Sequence, residues 1–286
     1  VTLRHIVRLV VSLASALLVT AIVPGWANAT SAAALAAVDT LPPTPDTAWG
    51  LDPTTGQVVV TVSRAAPEPG VARLLALAGR FGELVRVVRT DRSLSEQVLV
   101  EPHATSGPLL GGDEITDGSI ICSAGFNVVK LGQPYVVTAG HCTEGLPDWQ
   151  GIGPSTVSSF PTTDYGLIRD DDAVARGGVD LYDGTVRSIT SVGTPTVGEH
   201  VCASGRTTGV TCGQVTAVHQ TVDYGNGDLV HGLIQTNVHT DHGDSGGALF
   251  DGDTGLGTVS GGDGTVDYFQ PLAPVLAAYG LALALP

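Results

Sequence analysis

Three short stretches carry residue types that could together perform acyl transfer. His242-Gly243-Asp244-Ser245-Gly246-Gly247 sets a serine in a glycine turn. A hydroxyl attacks a carbonyl only if a base takes its proton, and the anion that forms needs N–H donors close by. Flanking glycines leave room for a substrate and admit unusual backbone angles. Gly, Asp and Ser also make ordinary surface turns, so this reading depends on a base and an orienting carboxylate elsewhere. Thr138-Ala139-Gly140-His141-Cys142 ends an apolar run with a histidine beside a cysteine and offers the base. Thr163-Asp164-Tyr165-Gly166-Leu167-Ile168 sets an aspartate at the mouth of a strand-like run and offers the carboxylate. Asp170, Asp171 and Asp172 are rivals by composition, although such a charge run reads as a solvated turn.

The elements that would position these residues are short β runs. Ile120–Val129, Gln133–Thr138, Tyr165–Arg169, Thr185–Ser191, Val197–Ala203, Thr211–Val218, Leu229–Asn237, Ala248–Asp251 and Gly257–Gly261 follow one another, separated by Gly, Asp and Pro. So many short strands suit an all-β fold of two packed antiparallel barrels. Leu272 to Tyr279 breaks the pattern with helical spacing and reads as a C-terminal helix. Among the 286 residues, positions 1–108 hold eight Lys/Arg and eight Asp/Glu, whereas 109–286 hold five and twenty, which accounts for the whole net charge of −15. That balance argues against nucleic acid and anionic membrane as partners. Cys122, Cys142, Cys202 and Cys212 all lie in the acidic part. In an exported chain they read as two disulfides with three pairings open, and their spacing fits no zinc site.

The amino-terminal part has a different character. Residues 1–29 read as an export signal: Arg4, His5 and Arg8, an apolar run from Leu9 to Val23, then Ala27-Asn28-Ala29 as a cleavage site. A retained membrane anchor is the competing reading. A start at Val1 fits a non-ATG codon and a bacterial source. Thr30 to Pro45, rich in Ala, Thr and Pro, reads as a mobile linker. From Thr47 to Val100 a small α+β unit is expected, with strands at Gln57–Ser63 and Leu84–Arg89 and a short helix at Val71–Gly79; it is small for a core of its own. Glu101 to Gly112 reads as an exposed, cuttable linker.

The motifs T-A-G-H-C, T-D-Y-G-L-I and G-D-S-G-G, in that order, resemble those of the chymotrypsin-fold serine proteases. The chain is most similar to their secreted bacterial branch, the streptogrisins and alpha-lytic protease. Cys122-Ser123-Ala124-Gly125-Phe126-Asn127-Val128, the stretch Cys202 to Gly209 and Phe269-Gln270-Pro271-Leu272 carry that likeness across 109–286. The resemblance implies a signal (1–29), a pro-region (30–108) and a protease domain (109–286), with barrel 1 at about 109–187 and barrel 2 at about 188–286. It implies a secreted, monomeric endopeptidase made as a zymogen, with polypeptide substrates, no cofactor and no metal. Its own pro-region would be folding aid and inhibitor. Ser245 would be the nucleophile, His141 the base and Asp164 its orienting carboxylate, with the N–H groups of Gly243 and Ser245 as oxyanion hole. Ser260-Gly261-Gly262 would pair with the peptide backbone. The implied disulfides are Cys122–Cys142 and Cys202–Cys212. Two departures stand out. No cysteine remains for the disulfide that braces the specificity pocket in many relatives. Ala203 replaces an arginine that pairs with the Asp before the serine in alpha-lytic protease, which leaves Arg206 as a candidate partner for Asp244. His239 and His242 flank the approach to the site. Where trypsin-like relatives carry an acidic residue stands His239, so a basic P1 is not expected; an apolar P1 is, with an acidic one as the competing reading. A silent peptide-binding protein and an esterase are the rival functions, and the reverse motif order and the missing G-x-S-x-G elbow speak against the second.

Overall fold

Val58–Ser63 reads Val-Val-Val-Thr-Val-Ser, a β-branched run suited to a strand covered on both faces. In the structure, a computed structural model that describes residues 24–96, 108–171 and 176–285, this run is β2 of the amino-terminal unit. The unit comprises α1 (Pro24–Asp39), β1 (Thr47–Leu51), β2, α2 (Glu68–Phe81), β3 (Val85–Thr90) and the short β4 (Ser95–Glu96). β1 and β2 are antiparallel, β2 and β3 parallel, and α2 makes the crossover between the latter. The two longer helices pack Ala34, Val38, Val71, Leu74 and Leu77 against Trp49, Val58, Val60 and Val62. This core is too small to close by itself, and β1 continues into the sheet of the second barrel by pairing with Thr221–Asp223.

The remaining strands are β5 (Glu114–Thr116), β6 (Ile121–Ser123), β7 (Phe126–Lys130), β8 (Gln133–Thr138), β9 (Asp148–Trp149), β10 (Gly153–Ser159), β11 (Tyr165–Arg169), β12 (Gly178–Asp180), β13 (Val186–Ser188), β14 (Ser191–Val192), β15 (His200–Gly205), β16 (Gly209–Asp223), β17 (Leu229–Thr236), β18 (Ala248–Asp251), β19 (Thr254–Gly262), β20 (Asp267–Pro271) and, after α3 (Leu272–Tyr279), β21 (Ala282–Leu283). The first barrel's sheet has the order β21-β7-β8-β11-β10-β9. The second runs β15-β18-β19-β20-β17-β16 and continues through β1-β2-β3. Each barrel has its own apolar interior, around Val136 and Ile168 in the first and around Ile234, Leu249 and Val259 in the second. The last strand returns to the first barrel by pairing with β7. Both implied disulfides are present, Cys122–Cys142 and Cys202–Cys212.

Several expectations need correction. Thr30–Pro45 is not a mobile linker, since its first part lies in α1, where Ala34 and Val38 are buried. The alanines that read as linker composition are the best helix formers, and an apolar partner surface fixes them. Residues 1–23, with most of the expected signal, lie outside the described residues; α1 runs through the expected cut after Ala29. The stretch 101–112 is not an exposed linker throughout. Residues 97–107 lie outside the described residues, but Leu109 to Gly112 are docked on the protease body. There Asn127 Nδ2 donates to the Leu109 carbonyl at 2.6 Å and Gly111 N–H donates to the Gly178 carbonyl at 2.9 Å. The run Ile120–Val129 is two strands, broken at Ala124-Gly125, and Gly209–Asp223 is one long strand. No helix among the described residues is long and apolar enough to cross a membrane.

Candidate active site

β8 ends at Thr138, and its register with β11 (Thr138 opposite Gly166) brings Gly140-His141 beside Asp164 at the head of β11. A short 3₁₀ turn, His141–Thr143, carries the histidine, and the Cys122–Cys142 disulfide ties that turn to β6. Ser245 comes from the other barrel, in the turn between β17 and β18. Gly246 N–H donates to the Val259 carbonyl and Ser123 N–H to the Ser245 carbonyl, at 2.8 and 2.7 Å. Gly246 has φ +84°, and a Cβ there would collide with Thr138 Oγ1, so only glycine lets this turn approach β8.

His141 Nε2 lies 2.8 Å from Ser245 Oγ, and His141 Nδ1 lies 2.9 Å from Asp164 Oδ2. A carboxylate only accepts, so Nδ1 carries a proton and Nε2 is left to accept from the serine. Asp164 is 0 % exposed, yet its carboxylate is well supplied with donors. Gly140 N–H and His141 N–H reach Oδ1 at 2.7 and 3.0 Å, and the Ser260 hydroxyl reaches Oδ2 at 2.6 Å. Gln270 Oε1 accepts the Asp164 N–H at 2.9 Å. Burial pulls the His141 pKa down, but the charge of Asp164 and its hydrogen bond, with Glu96 and Glu144, hold it above the ordinary histidine value. The His141 ring meets Phe160 edge-on, with centroids 5.6 Å apart.

The residues bring together a proton acceptor, a hydroxyl and an anion site. Gly243 has φ +100°, and neither its N–H nor that of Ser245 has a backbone acceptor among the described residues. Asp244, also 0 % exposed, fixes that turn. Its partner is not Arg206. Thr207 and Thr208 N–H donate to Oδ1 at 2.8 and 3.2 Å, and the Thr208 hydroxyl and Asp241 N–H donate to Oδ2 at 2.8 and 2.9 Å. Arg206 instead pairs with Glu114 at 2.8 Å. Burial raises the Asp244 pKa and these hydrogen bonds oppose it.

Other residues complete the cleft. His239 and His242 are exposed and line a cavity with Ser95, Gly262 and Asp263, and His239 Nδ1 lies 2.6 Å from the Gly264 carbonyl. Asp267, on β20 opposite Gly262, accepts Thr240 N–H at 2.9 Å and Gly264 N–H at 3.0 Å, so it ties the two walls beside the cleft. Burial pushes its carboxyl up to about 6. Asp171 pairs with Arg169, Asp170 is buried, and Asp172 lies outside the described residues, so Asp164 alone of these meets His141. Among the described residues one group has metal-ligand proximity, Cys122, His141 and Cys142, and its two sulfurs are already joined.

Sequence reasoning missed Tyr224. Ser260 donates its proton to Asp164, so its oxygen is an acceptor for the buried Tyr224 hydroxyl at 3.0 Å. Tyr224→Phe should lower kcat/KM about fivefold, the worth of one modest hydrogen bond. In a Ser260→Ala background the same change should cost little; equal costs in both backgrounds would break the link through Ser260. Also unforeseen is β4, which lies antiparallel on β19, with Glu96 opposite Gly261 and Ser95 opposite Gly262. Nothing local in Ser95-Glu96 signals a docked strand.

Two β-barrels that supply His141 and Asp164 from one and Ser245 from the other define a serine endopeptidase of the chymotrypsin fold. Comparison with known proteins makes this specific. Residues 29–82 match the family described as alpha-lytic protease prodomain. Streptogrisin-D of Streptomyces griseus is 45% identical over 249 residues, 82% of this chain and 60% of that protein. Streptogrisin-A of the same organism is 41% identical over 82% of this chain and 77% of that protein. A solved glutamic acid specific serine protease, described as using a histidine triad in substrate binding, superposes with a TM-score of 0.58 at 42% identity, covering 61% of this chain and all of that one. The chain belongs to the streptogrisin and alpha-lytic protease branch of the chymotrypsin-fold bacterial serine proteases, made with a prodomain.

Proposed function

We propose that the protein is an exported endopeptidase that cleaves peptide bonds through an acyl-enzyme on Ser245. His141 Nε2 takes the serine proton as Oγ attacks, then returns it to the leaving amine. Asp164 holds the tautomer and stabilises the imidazolium, and the N–H groups of Gly243 and Ser245 receive the oxyanion. The observation that carries this reading is the unbroken chain Asp164–His141–Ser245, each link within hydrogen-bond reach. A serine-reactive phosphonate should label the processed enzyme and fail to label Ser245→Ala. Absence of label on the processed enzyme overturns the reading.

The pro-region, taken as residues 30–108, acts as an inhibitor by occupying the peptide-binding edge. Support comes from β4 lying along Gly261-Gly262 in the orientation a substrate strand would take. Asp244 already has its hydrogen bonds in the uncut chain, and Leu109 to Gly111 are already docked. A new chain end at residue 109 is therefore not needed to build the site, and latency rests on the covered cleft.

For specificity we favour an apolar P1. His239 Nδ1 is held at the Gly264 carbonyl, and the cavity beside Gly262 that His239 and His242 line also carries Asp241 and Asp263. A glutamate side chain entering there would meet two carboxyl groups as well as the histidines. Peptide amides differing only at P1 should be cut faster with Leu or Phe than with Glu or Lys; a preference for Glu would overturn the assignment.

A further inference from the structure

The pro-region reaches the cleft as a short seam of satisfied contacts. Thr90 Oγ1 donates to Asp263 Oδ2, Arg92 donates to the Asp263 carbonyl at 3.1 Å, and Leu94 N–H donates to Asp46 Oδ1 at 3.0 Å. The Leu94 side chain is buried beside Tyr224 and Tyr268. Ser95 and Glu96 then pair with Gly262 and Gly261. Glu96 departs from this pattern of satisfaction. Its Oε1 is buried and has no hydrogen-bond partner among the described residues.

The groups that face this carboxyl are the two members of the first barrel's pair, His141 and Asp164, and Asp228 from the turn joining β16 to β17. Tyr224, on the loop after β16, also lies within its field. Two of these carry negative charge and one is a histidine. An ionised carboxylate buried there lacks a donor at Oε1 and is repelled by Asp164 and Asp228. A protonated carboxyl avoids both costs. If Glu96 stays ionised instead, its field favours protonation of His141. Either route binds a proton when the strand closes.

Resting on the reading of β4 as the occupant of the cleft, we propose that Glu96 fills the subsite next to the triad and makes self-inhibition proton-linked, so that the strand binds tighter in acid and lets go towards neutral pH. Burial is the first cause of the raised Glu96 pKa, and in the released strand the group returns to an ordinary exposed glutamate. The sign follows from linkage. A carboxyl whose pKa is higher in the closed state stabilises closure fully below its free pKa, and that contribution is lost as pH rises through the closed-state value. Each unit between the two corresponds to a tenfold change in the closing equilibrium. The same residue thereby selects against premature opening in an acidic medium and needs no change in the catalytic groups. Substituting the neutral amide keeps size and hydrogen-bonding capacity but removes the ionisation.

The test uses the full chain carrying Ser245→Ala, which keeps the pro-region attached. A rhodamine-labelled peptide amide without ionisable side chains competes with β4 for the Gly261-Gly262 edge, and its binding is followed by anisotropy from pH 5.5 to 8. Affinity for the peptide should rise with pH across this range with Glu96, and level off once the carboxyl of the closed strand is ionised. With Glu96→Gln it should stay close to the weak acidic value throughout. Parallel pH curves for the two chains would overturn the role of Glu96. A second variant, Leu94→Asp, checks the underlying reading, because it expels the strand's buried anchor. It should bind the peptide tightly even at pH 5.5, and no gain there would overturn occupancy of the cleft itself.

Discussion

Asp164→Asn should lower kcat about ten-thousand-fold at neutral pH while leaving the fold intact. The size of the effect follows from which atoms face the new amide. Oδ1 accepts two backbone N–H groups, from Gly140 and His141, so the carboxamide oxygen must take that place. The amide NH₂ is then left at the position of Oδ2, against His141 Nδ1 and Ser260 Oγ. An N–H donor there favours the tautomer in which Nδ1 accepts, since Nδ1 lies 2.9 Å from the Oδ2 place against 3.0 Å from Oδ1, and this moves the ring proton to Nε2. Nε2 faces Ser245 Oγ at 2.8 Å and could no longer take the serine proton. The pH profile should move as well. Burial depresses the His141 pKa, and Asp164 more than restores it. Activity needs neutral His141, so the wild type loses activity as pH falls through the His141 pKa, which the charge of Asp164 holds up against burial. Without the carboxylate charge this acid limb should shift downward. The measurement is kcat and kcat/KM against pH on a peptide amide in the processed enzyme; a loss below about tenfold would contradict the tautomer argument.

The parts of this site that are legible in the sequence are those whose chemistry is local. Gly243 to Gly247 needs its glycines because a Cβ at Gly246 would strike Thr138, and that requirement is written as a motif. The strands Gln133–Thr138, Tyr165–Arg169 and Ala248–Asp251 and the helix Leu272–Tyr279 fall where the apolar pattern and turn residues place them. β10, reading Gly-Pro-Ser-Thr-Val-Ser-Ser, escapes notice because its composition is that of a turn; its pairing with β11 rather than its own propensity makes it a strand. β16 reads as a shorter run because its register shifts and His219, at φ +56°, interrupts the alternation. The helix over residues 30–39 has linker composition and becomes ordered by Trp49 and Val58 beneath it. Donors supplied by backbone have no residue signature at all. That is why Asp244 suggests a search for a cation, whereas the structure supplies Thr207 and Thr208 N–H. Arg206 lies next to them in sequence, yet its guanidinium turns to Glu114, a partner that only the fold brings near.

Asp244→Ala should cost about a hundredfold to a thousandfold in kcat/KM, and Arg206→Ala should leave kcat/KM near that of the wild type. Removing the Asp244 carboxylate takes the acceptor from the N–H groups of Thr207, Thr208 and Asp241 and from the Thr208 hydroxyl at a partly buried spot. A buried donor without a partner costs about 1–3 kcal/mol, so the loop must shift or admit water. The shift reaches catalysis because Asp244 stands between Gly243 and Ser245, whose N–H groups are the proposed oxyanion donors. Losing one such donor is worth about 3–4 kcal/mol in comparable sites, which sets the magnitude. Asp244→Asn should fall in between. Its oxygen can serve Thr207 and Thr208 at the Oδ1 place, and the Thr208 hydroxyl can rotate to accept from the new NH₂, but Asp241 N–H then faces a donor. Arg206 tests the same loop from the other side. Its backbone N–H binds Ser123 Oγ and survives the substitution, while its side chain serves Glu114. Breaking that buried pair takes the Arg206 guanidinium away from Glu114 and should lower unfolding stability by about 3–5 kcal/mol. Activity per folded molecule should hold. Steady-state kinetics with thermal or denaturant unfolding on the same preparations separates the two: one carboxylate shapes the anion site, and the neighbouring ion pair holds the barrels' frame. A large loss of kcat/KM in Arg206→Ala, with Asp244→Ala unaffected, would return the latch to the arginine.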